Sequence, residues 1–216
     1  MTTPATPDTE QVAPRPYDGD TALVVVDVQH DFAHPDGGLF VPGGDRVVEV
    51  VDGEVRAALD AGATVAYTQD WHPPTTPHFA KDGGVWPVHC VADTWGAQLH
   101  DDLLVEGPVV RKGVDGGDGY SGFSVRDPVS GEEEATELGR LLDEAGVHRV
   151  VVVGLAGDVC VKETALDAVR LGYDVELPLP ATAFVELEPG DGDRAITELR
   201  RAGVLVTGRG PAAAGE

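Results

Sequence analysis

The sequence predicts an α/β fold, a three-layer sandwich in which helices cover both faces of a mainly parallel, six-stranded sheet. Two observations support this fold class. Short runs of β-branched residues, which are typical of buried strands, alternate with longer stretches whose apolar residues recur at helical spacing. Glycines stand where helical stretches end, for example Gly62 and Gly146. Strands that alternate with helices in this way lie parallel in one sheet.

Each element follows from its local pattern. The valine run at residues 150–153 predicts a strand that is buried on both faces. The other five strands are predicted at residues 22–26, 63–68, 108–111, 173–177 and 204–206. Helices with one apolar face are predicted over residues 45–59, 132–145 and 191–202, and a further helix begins at Cys160. Residues 73–107 show no long periodicity, and a loop region of this length is usually functional.

The length of 216 residues suits one domain, which we expect over residues 19–207. A disordered leader rich in threonine and proline is expected over residues 1–18, and a loose tail over residues 208–216. The chain has two cysteines and no secretory pattern, so the expected compartment is the reducing cytoplasm.

The formal net charge of −23 argues against a nucleic-acid partner and against an anionic membrane surface, because both need a basic surface. No apolar run approaches the roughly 20 residues of a membrane-spanning helix. A small molecule is therefore the expected partner, and the sequence leaves a homo-oligomer open.

Chemically reactive side chains follow four of the predicted strands. Asp27 follows the first strand, Asp70 and His72 follow the second, Lys112 follows the third, and Cys160 follows the valine run. The carboxyl ends of parallel strands meet at one edge of the sheet, where ligands bind. We therefore expect these side chains to lie together in a functional site.

Cys160 has two interpretations. At the amino end of a helix, free amides and the helix dipole lower the pKa of a thiol, and the same amides can hold an oxyanion. A lone cysteine beside valines is also a common packing residue. Asp27 and Lys112 at the same edge favour a nucleophile, since a carboxylate can act as base and an ammonium can stabilise a thiolate. The alternatives are a turn residue for Asp27 and a solvated surface lysine for Lys112.

A second set of residues predicts a metal site. Asp70 and His72 form an Asp-x-His pattern, and His78 and His89 follow in the loop. Carboxylate and imidazole ligands suit one divalent ion, zinc, manganese or iron(II), with water completing its shell. No such grouping is expected for the remaining histidines, His30, His34, His100 and His148. Cys90 is expected to be a small buried apolar residue.

These motifs together resemble the isochorismatase-like cysteine hydrolases, and within them the nicotinamidase (pyrazinamidase) family. The resemblance runs from about Thr21 to Val206 and rests on five segments, residues 26–32 (VDVQHDF), 70–78, 86–90 (WPVHC), 111–113 (RKG) and 157–161 (GDVCV). It implies a six-stranded parallel sheet flanked by helices. It also implies hydrolysis of nicotinamide, and of pyrazinamide, to nicotinate and ammonia through a cysteine thioester in NAD salvage.

The resemblance implies roles for individual residues as well. The catalytic triad would be Asp27, Lys112 and Cys160. The oxyanion hole would be formed by the backbone amides of Ala156 and Cys160, beside a cis peptide between Leu155 and Ala156. The metal ion would be bound by Asp70, His72 and His89, with His78 as a further ligand or a water-mediated partner. The substrate pocket would be lined by Phe32 and Trp86 on the two faces of the pyridine ring, and by Tyr120 and Leu155.

Two alternatives follow from the same residues. The first is another hydrolase of this superfamily, acting on an N-carbamoyl compound, a ureido acid or isochorismate; relatives with those activities generally lack the metal cluster. The second is a metal-binding or flavodoxin-like interaction module without catalysis, in which Cys160 would be inert.

Overall fold

The computed structural model describes residues 13–208. Its strands are β1 (Thr21–Val26), β2 (Thr64–Asp70), β3 (Val109–Lys112), β4 (Ser124–Arg126), β5 (Glu133–Ala135), β6 (Arg149–Leu155), β7 (Asp174–Pro178), β8 (Thr182–Ala183) and β9 (Leu205–Thr207). Its α-helices are α1 (His30–Ala33), α2 (Gly44–Asp60), α3 (Leu138–Glu144), α4 (Cys160–Arg170) and α5 (Asp191–Ala202). Two single turns of 3₁₀-helix lie at Ala80–Asp82 and Leu179–Ala181.

The central sheet has the strand order β3-β2-β1-β6-β7-β9, and β8 pairs with the end of β6. Every pairing in this sheet is parallel. The prediction of an α/β fold with a mainly parallel sheet is therefore confirmed. The six predicted strands are the six of this order. The seventh strand, β8, is only two residues long, too short for a sequence pattern to reveal.

Helices cover both faces of the sheet because side chains alternate along each strand. All six residues of β1 are buried. Leu23 and Val25 belong to one apolar core, which α2 covers, whereas Ala22 and Val24 belong to a second core, to which α3, α4 and α5 contribute. In the described part of the chain, no helix is both long enough and apolar enough to cross a membrane.

The helix predicted over residues 132–145 begins later than expected, since β5 occupies its first turn and pairs antiparallel with β4. The physical reason is that β5 has no apolar face to bury and is exposed along its length, whereas Leu138, the first residue of α3, is fully buried. Thr136 fixes the boundary. Its hydroxyl donates to the Gly122 carbonyl at 2.6 Å and accepts from the Leu138 amide at 3.2 Å.

The segment at residues 13–18, predicted to belong to a disordered leader, lies against the sheet instead. Arg15 Nε donates to Glu176 Oε2 at 3.0 Å, and Glu176 is a buried residue of β7. Arg149 donates to the Pro16 carbonyl on the same side. The buried carboxylate accounts for this attachment, which composition alone does not reveal. Outside the described residues lie the remaining parts of the predicted leader and tail, residues 1–12 and 209–216.

Candidate active site

Four strand ends place polar side chains at one edge of the sheet. Asp27 directly follows β1, Asp70 ends β2, Lys112 ends β3, and Cys160 begins α4 after β6. The strand β1 lies between β2 and β6. Asp70 and Lys112 are register partners on the adjacent strands β2 and β3. The structure thus brings together the side chains that the sequence places at the ends of separate strands.

The ammonium of Lys112 is the centre of these contacts. Its Nζ lies 2.7 Å from Asp27 Oδ2, 2.5 Å from Asp70 Oδ1 and 3.7 Å from Cys160 Sγ. It also donates to the Gly119 carbonyl. Burial would lower the pKa of Lys112, but Asp27 and Asp70 outweigh it and raise that pKa well above its usual value. Lys112 is a buried cation shared by two carboxylates, not a solvated surface lysine.

Asp27 is fully buried and adopts a left-handed backbone conformation with a φ of +49°. The Thr68 hydroxyl donates to its Oδ1 at 2.6 Å, while Lys112 contacts Oδ2. Burial raises the pKa of Asp27 to about 6, against the opposing attraction of Lys112. A carboxyl group with this pKa is ionised at neutral pH and still basic enough to accept a proton.

Cys160 is the first residue of α4 and is only 7% exposed. Its sulfur lies within 4.8 Å of one carboxylate oxygen each of Asp27 and Asp70. Burial raises the pKa of the Cys160 thiol well above its usual value, although Lys112 opposes this. The direction is opposite to the lowered pKa expected from the helix terminus, because burial is the largest influence on this thiol. A thiol in this state needs a neighbouring base before it can react as a nucleophile.

The turn between β6 and α4 places backbone amides beside the sulfur. Gly154, the next-to-last residue of β6, has a φ of +111°, and a Cβ there would lie 2.1 Å from the Val26 carbonyl oxygen, so the strand requires glycine just before the turn. The peptide between Leu155 and Ala156 is cis, as the resemblance implies. The Ala156 carbonyl accepts from the Val161 amide at 3.0 Å. The Cys160 amide lies in the first turn of α4, where an amide has no acceptor within the helix.

Three imidazoles form a buried cluster next to Lys112. One ring nitrogen each of His72, His78 and His89 lies within 4.8 Å of the others. Asp70 Oδ2 lies 3.5 Å from His72 Nε2 and 3.9 Å from His89 Nε2. The structure thus brings together the four predicted metal ligands, which come from β2 and from two separate parts of the loop that follows it.

The chemistry of this cluster fits a divalent cation. Both ring nitrogens of His72 are buried and have no hydrogen-bond partner among residues 13–208. Burial lowers the pKa of His89 to about 4, so its imidazole is neutral and can donate a lone pair. Burial would raise the pKa of Asp70, but the charge of Lys112 is the main influence that holds it below its usual range, so Asp70 is a carboxylate. Neutral imidazoles beside an ionised carboxylate are ligands that zinc, manganese and iron(II) accept.

A pocket opens above the sulfur and encloses about 400 Å³, including space open to solvent. Its wall contains all four predicted substrate-contacting residues, Phe32, Trp86, Tyr120 and Leu155. Trp86 Nε1 donates to the Tyr120 hydroxyl at 3.0 Å, which ties two of them together. Apolar residues that the sequence pattern did not single out complete the wall, namely Leu39, Val41, Val159 and Val185.

Two polar residues that support the site were not predicted. Thr68 contacts Asp27, as described above. Gln29 holds the backbone of Asp70 from both sides, since its Nε2 donates to the Asp70 carbonyl and its Oε1 accepts from the Asp70 amide, each at 2.8 Å. Gln29 stands two residues after Asp27, inside the first motif, but its residue type alone does not identify this role.

Three of the remaining histidines, for which the sequence predicts no metal-type grouping, pack around Trp95 in the structure. His30 stacks on Trp95 with 4.5 Å between ring centroids, and His100 lies 5.3 Å from His30. The His34 ring meets Trp95 edge-on at 5.1 Å. The cause is tertiary: the loop that contains Trp95 and His100 folds back onto α1, and the His30 amide donates to the Gln98 carbonyl. Cys90 is fully buried, as expected.

A buried thiol beside a carboxylate and an ammonium, at the carboxyl edge of a parallel sheet, is characteristic of α/β cysteine hydrolases. The chain belongs to the isochorismatase family, because the model of the isochorismatase domain matches residues 21–209. That range contains all the described strands and helices. The family predicted from the motifs is therefore confirmed, and the chain is a hydrolase.

The chain is similar over most of its length to known nicotinamidases. It is 36% identical to the nicotinamidase of Escherichia coli over 203 residues, which are 86% of this chain and 93% of the relative. It is 37% identical to the nicotinamidase/pyrazinamidase of Mycobacterium tuberculosis over 188 residues, which are 85% of this chain and 96% of the relative. The structure of the pyrazinamidase of Pyrococcus horikoshii in complex with zinc matches with a TM-score of 0.78 and 36% identity, covering 88% of this chain and 99% of that one.

Proposed function

We propose that the chain is a nicotinamidase that hydrolyses nicotinamide, and also pyrazinamide, to nicotinate and ammonia in NAD salvage. The observation that carries the proposal is the contact of Lys112 with both Asp27 and Cys160 at the floor of an apolar pocket. The relatives support it, since they include nicotinamidases at 36% and 37% identity. We further propose a cytoplasmic enzyme, in keeping with its two free cysteines.

The first half of the proposed reaction forms a thioester. Asp27 accepts the proton of the Cys160 thiol, and the resulting thiolate attacks the carboxamide carbon of nicotinamide. The amides of Ala156 and Cys160 hold the oxyanion of the tetrahedral intermediate. Asp27 then returns its proton to the departing nitrogen, and the carbon–nitrogen bond breaks to release ammonia. Lys112 stabilises the thiolate and keeps Asp27 oriented.

The second half hydrolyses the thioester. Asp27 is again a carboxylate and accepts a proton from water, whose oxygen attacks the thioester carbon. The same two amides hold the second oxyanion, and the carbon–sulfur bond breaks as Asp27 returns its proton to the Cys160 sulfur. The carboxylic acid that is formed loses its own proton to solvent and leaves as nicotinate. Cys160 lines the pocket and Asp27 is fully buried, so neither group meets bulk solvent, and the reaction is limited to substrate that fills the pocket.

The pocket wall and the imidazole cluster position the substrate. Phe32 and Trp86 hold the flat pyridine ring through aromatic contact, and Tyr120 holds Trp86. We propose that Asp70, His72, His78 and His89 hold one divalent ion, zinc, manganese or iron(II). When bound, this ion supplies a Lewis-acid contact for the ring nitrogen, so that the carboxamide faces Cys160.

The composition of the pocket favours nicotinamide over the substrates of other superfamily members. N-carbamoyl amino acids, ureido acids and isochorismate carry carboxylates, which proteins commonly bind with an arginine or lysine side chain. Among the described residues that line the pocket there is no arginine or lysine, and most of the wall is apolar or aromatic. A neutral aromatic amide matches this wall better.

The proposal is tested by ammonia release from nicotinamide and pyrazinamide, with an N-carbamoyl amino acid as the competing substrate. Cys160→Ala removes the nucleophile, and we expect at least about a thousandfold loss of turnover. Cys90→Ala is the matched control: it removes the other buried thiol and should retain activity. Full turnover by the Cys160→Ala variant, or a preference of the wild type for the N-carbamoyl substrate, would refute the proposed function.

A further inference from the structure

His78 differs from the other two imidazoles of the cluster in what orients its ring. His89 Nδ1 lies 2.7 Å from the Pro87 carbonyl oxygen, a backbone partner that no side-chain substitution removes. His72 has no hydrogen-bond partner for its ring in the described chain. His78 Nδ1 lies 2.8 Å from Oδ1 of Asp118, so a side chain distant in sequence fixes its ring.

We propose that Asp118 is a positioning residue that orients His78 for metal binding. By accepting a hydrogen bond from Nδ1, the carboxylate selects the tautomer in which Nε2 carries the free lone pair. Carboxylates that accept from the second nitrogen of a ligating histidine also raise the basicity of the ligand. This inference rests on the metal site of the proposed function and adds to it a residue that does not itself bind the ion.

The glycine-rich loop holds Asp118 at a fixed position. The backbone of Asp118 forms two hydrogen bonds with Arg126, at 2.7 and 3.0 Å, which join the loop to β4. The preceding residue packs closely against β4, because a Cβ on Gly117 would lie 2.6 Å from Cγ1 of Val125. The Asp118 carboxylate is thus presented to His78 by a loop segment that is hydrogen-bonded to β4.

A second contact joins the same two segments. The Thr76 hydroxyl donates to the Gly116 carbonyl at 2.9 Å and accepts from the His78 amide at 3.2 Å. At the start of the loop, a Cβ on Gly113 would lie 2.7 Å from the imidazole of His72, so the loop backbone passes directly against the cluster. Two hydrogen bonds therefore join the segment that contains His78 to the segment that contains Asp118. One runs from the Thr76 hydroxyl to the Gly116 backbone, and the other joins the side chains of His78 and Asp118.

The low exposure of His78 and Asp118 indicates that their contact positions His78 and is not merely an ion pair on the surface. The side chain of His78 is 5% exposed and that of Asp118 is 24% exposed, so the hydrogen bond lies largely outside bulk water. Asp115, in the same loop, is exposed and offers a control of equal charge. The two aspartates differ in their contact with His78, which makes them a matched pair for mutation.

The test measures zinc affinity on metal-free protein, by competition with a chromophoric chelator. We expect Asp118→Ala to weaken zinc binding by roughly 10- to 100-fold, whereas Asp115→Ala should bind as the wild type does. Asp118→Asn keeps an oxygen acceptor and should recover part of the affinity. Wild-type affinity in Asp118→Ala would overturn the proposal. If that variant does not fold, Asp118→Ser, which is too short to reach the imidazole, decides the question in the same assay.

A second readout separates positioning from a general loss of structure. Nitrogen-15 NMR of the metal-free protein should show His78 with its proton on Nδ1 in the wild type, and a mixture of tautomers in Asp118→Ala. An unchanged tautomer would contradict the proposal. A wild type that binds zinc but releases no ammonia from nicotinamide would refute the proposed function and leave the role of Asp118 standing.

Discussion

Three features of its surroundings determine the pKa of Asp27. It is withdrawn from water, it contacts the ammonium of Lys112, and it accepts a hydrogen bond from Thr68. Withdrawal from water favours the neutral acid, and the other two favour the carboxylate. Burial is the largest of the three effects, so the pKa of Asp27 is raised to about 6.

This pKa predicts the acid side of the pH–rate profile. Only ionised Asp27 can accept the thiol proton, so kcat/KM for nicotinamide should fall as the pH drops through about 6. Above that pH the carboxylate form of Asp27 predominates, so its ionisation should no longer change kcat/KM. The measurement is kcat/KM for nicotinamide at a series of pH values, on metal-loaded enzyme with its stability verified at each pH.

Alkylation of Cys160 without substrate provides the control for this prediction. Asp27 should accept the thiol proton in this reaction as well, so the alkylation rate should fall over the same pH range as kcat/KM. If kcat/KM and the alkylation rate instead fell only near pH 3.8, the ordinary pKa of an aspartate, this would show that burial does not raise the pKa of Asp27.

At the scale of single residues, the sequence reveals groups whose chemistry is unusual at the end of a strand. The carboxylate of Asp27, the ammonium of Lys112 and the thiol of Cys160 are such groups, and the sequence identifies them as candidates. It does not identify Thr68 and Gln29, because each acts through a partner 41 residues away in the chain. A threonine within a strand or a glutamine after one has many structural roles, and only the folded chain shows which partner it contacts.

At the scale of elements, the packing of β1 against β6 determines the shape of the turn that leads to Cys160. Val26 and Gly154 are register partners, and Asp27 follows directly after Val26. The space between the two strands at this point has no room for a Cβ on Gly154. A side chain there would push the end of β1, and Asp27 with it, away from the sulfur.

We therefore expect Gly154→Ala to be strongly destabilising and to impair turnover in the protein that still folds. Its matched control is Gly146→Ala. Gly146 also has a positive φ, of +71°, but a Cβ there would meet nothing within 4 Å. The control should lose only about 1–2 kcal/mol from the left-handed backbone, and Gly154→Ala should lose clearly more because of the added clash.

Denaturant unfolding monitored by circular dichroism measures both variants. Equal losses of unfolding free energy would mean that the strands separate easily and that the contact between Gly154 and Val26 is unimportant.

Elements were predictable where burial and periodicity agreed. The strands of the central sheet are apolar and bounded by polar residues or glycine, so their positions followed from composition. The hairpin of β4 and β5 was missed because its strands are short and polar, and β5 lies in a glutamate-rich stretch that also suits a helix. Its structure comes from pairing and from the contact of Thr136 with Gly122, which no local pattern encodes.

At the scale of the whole molecule, the charge is strongly unbalanced, with 38 aspartates and glutamates against 15 lysines and arginines. Repulsion among these carboxylates destabilises the compact state. Salt screens that repulsion, while buried contacts such as that between Lys112 and Asp27 are screened much less.

The unfolding temperature at neutral pH should consequently rise with sodium chloride, from about 0.01 M to about 1 M, as the Debye length falls from about 30 Å to about 3 Å. Differential scanning calorimetry gives the transition directly. Near pH 4.4, where the calculated net charge vanishes, the same salt series should have a much smaller effect. A transition that is independent of salt at neutral pH would mean that the surface charges do not repel one another measurably.

The reactive groups are divided between two halves of the chain that meet at the middle of the sheet. The acid and the amine belong to the half that ends with β3, and the sulfur belongs to the half that begins with β6. They come into contact only when β6 has aligned beside β1. Neither half alone contains a complete set of reactive groups, so a newly made chain should gain activity only after the two halves have paired, and the first appearance of product should report that pairing.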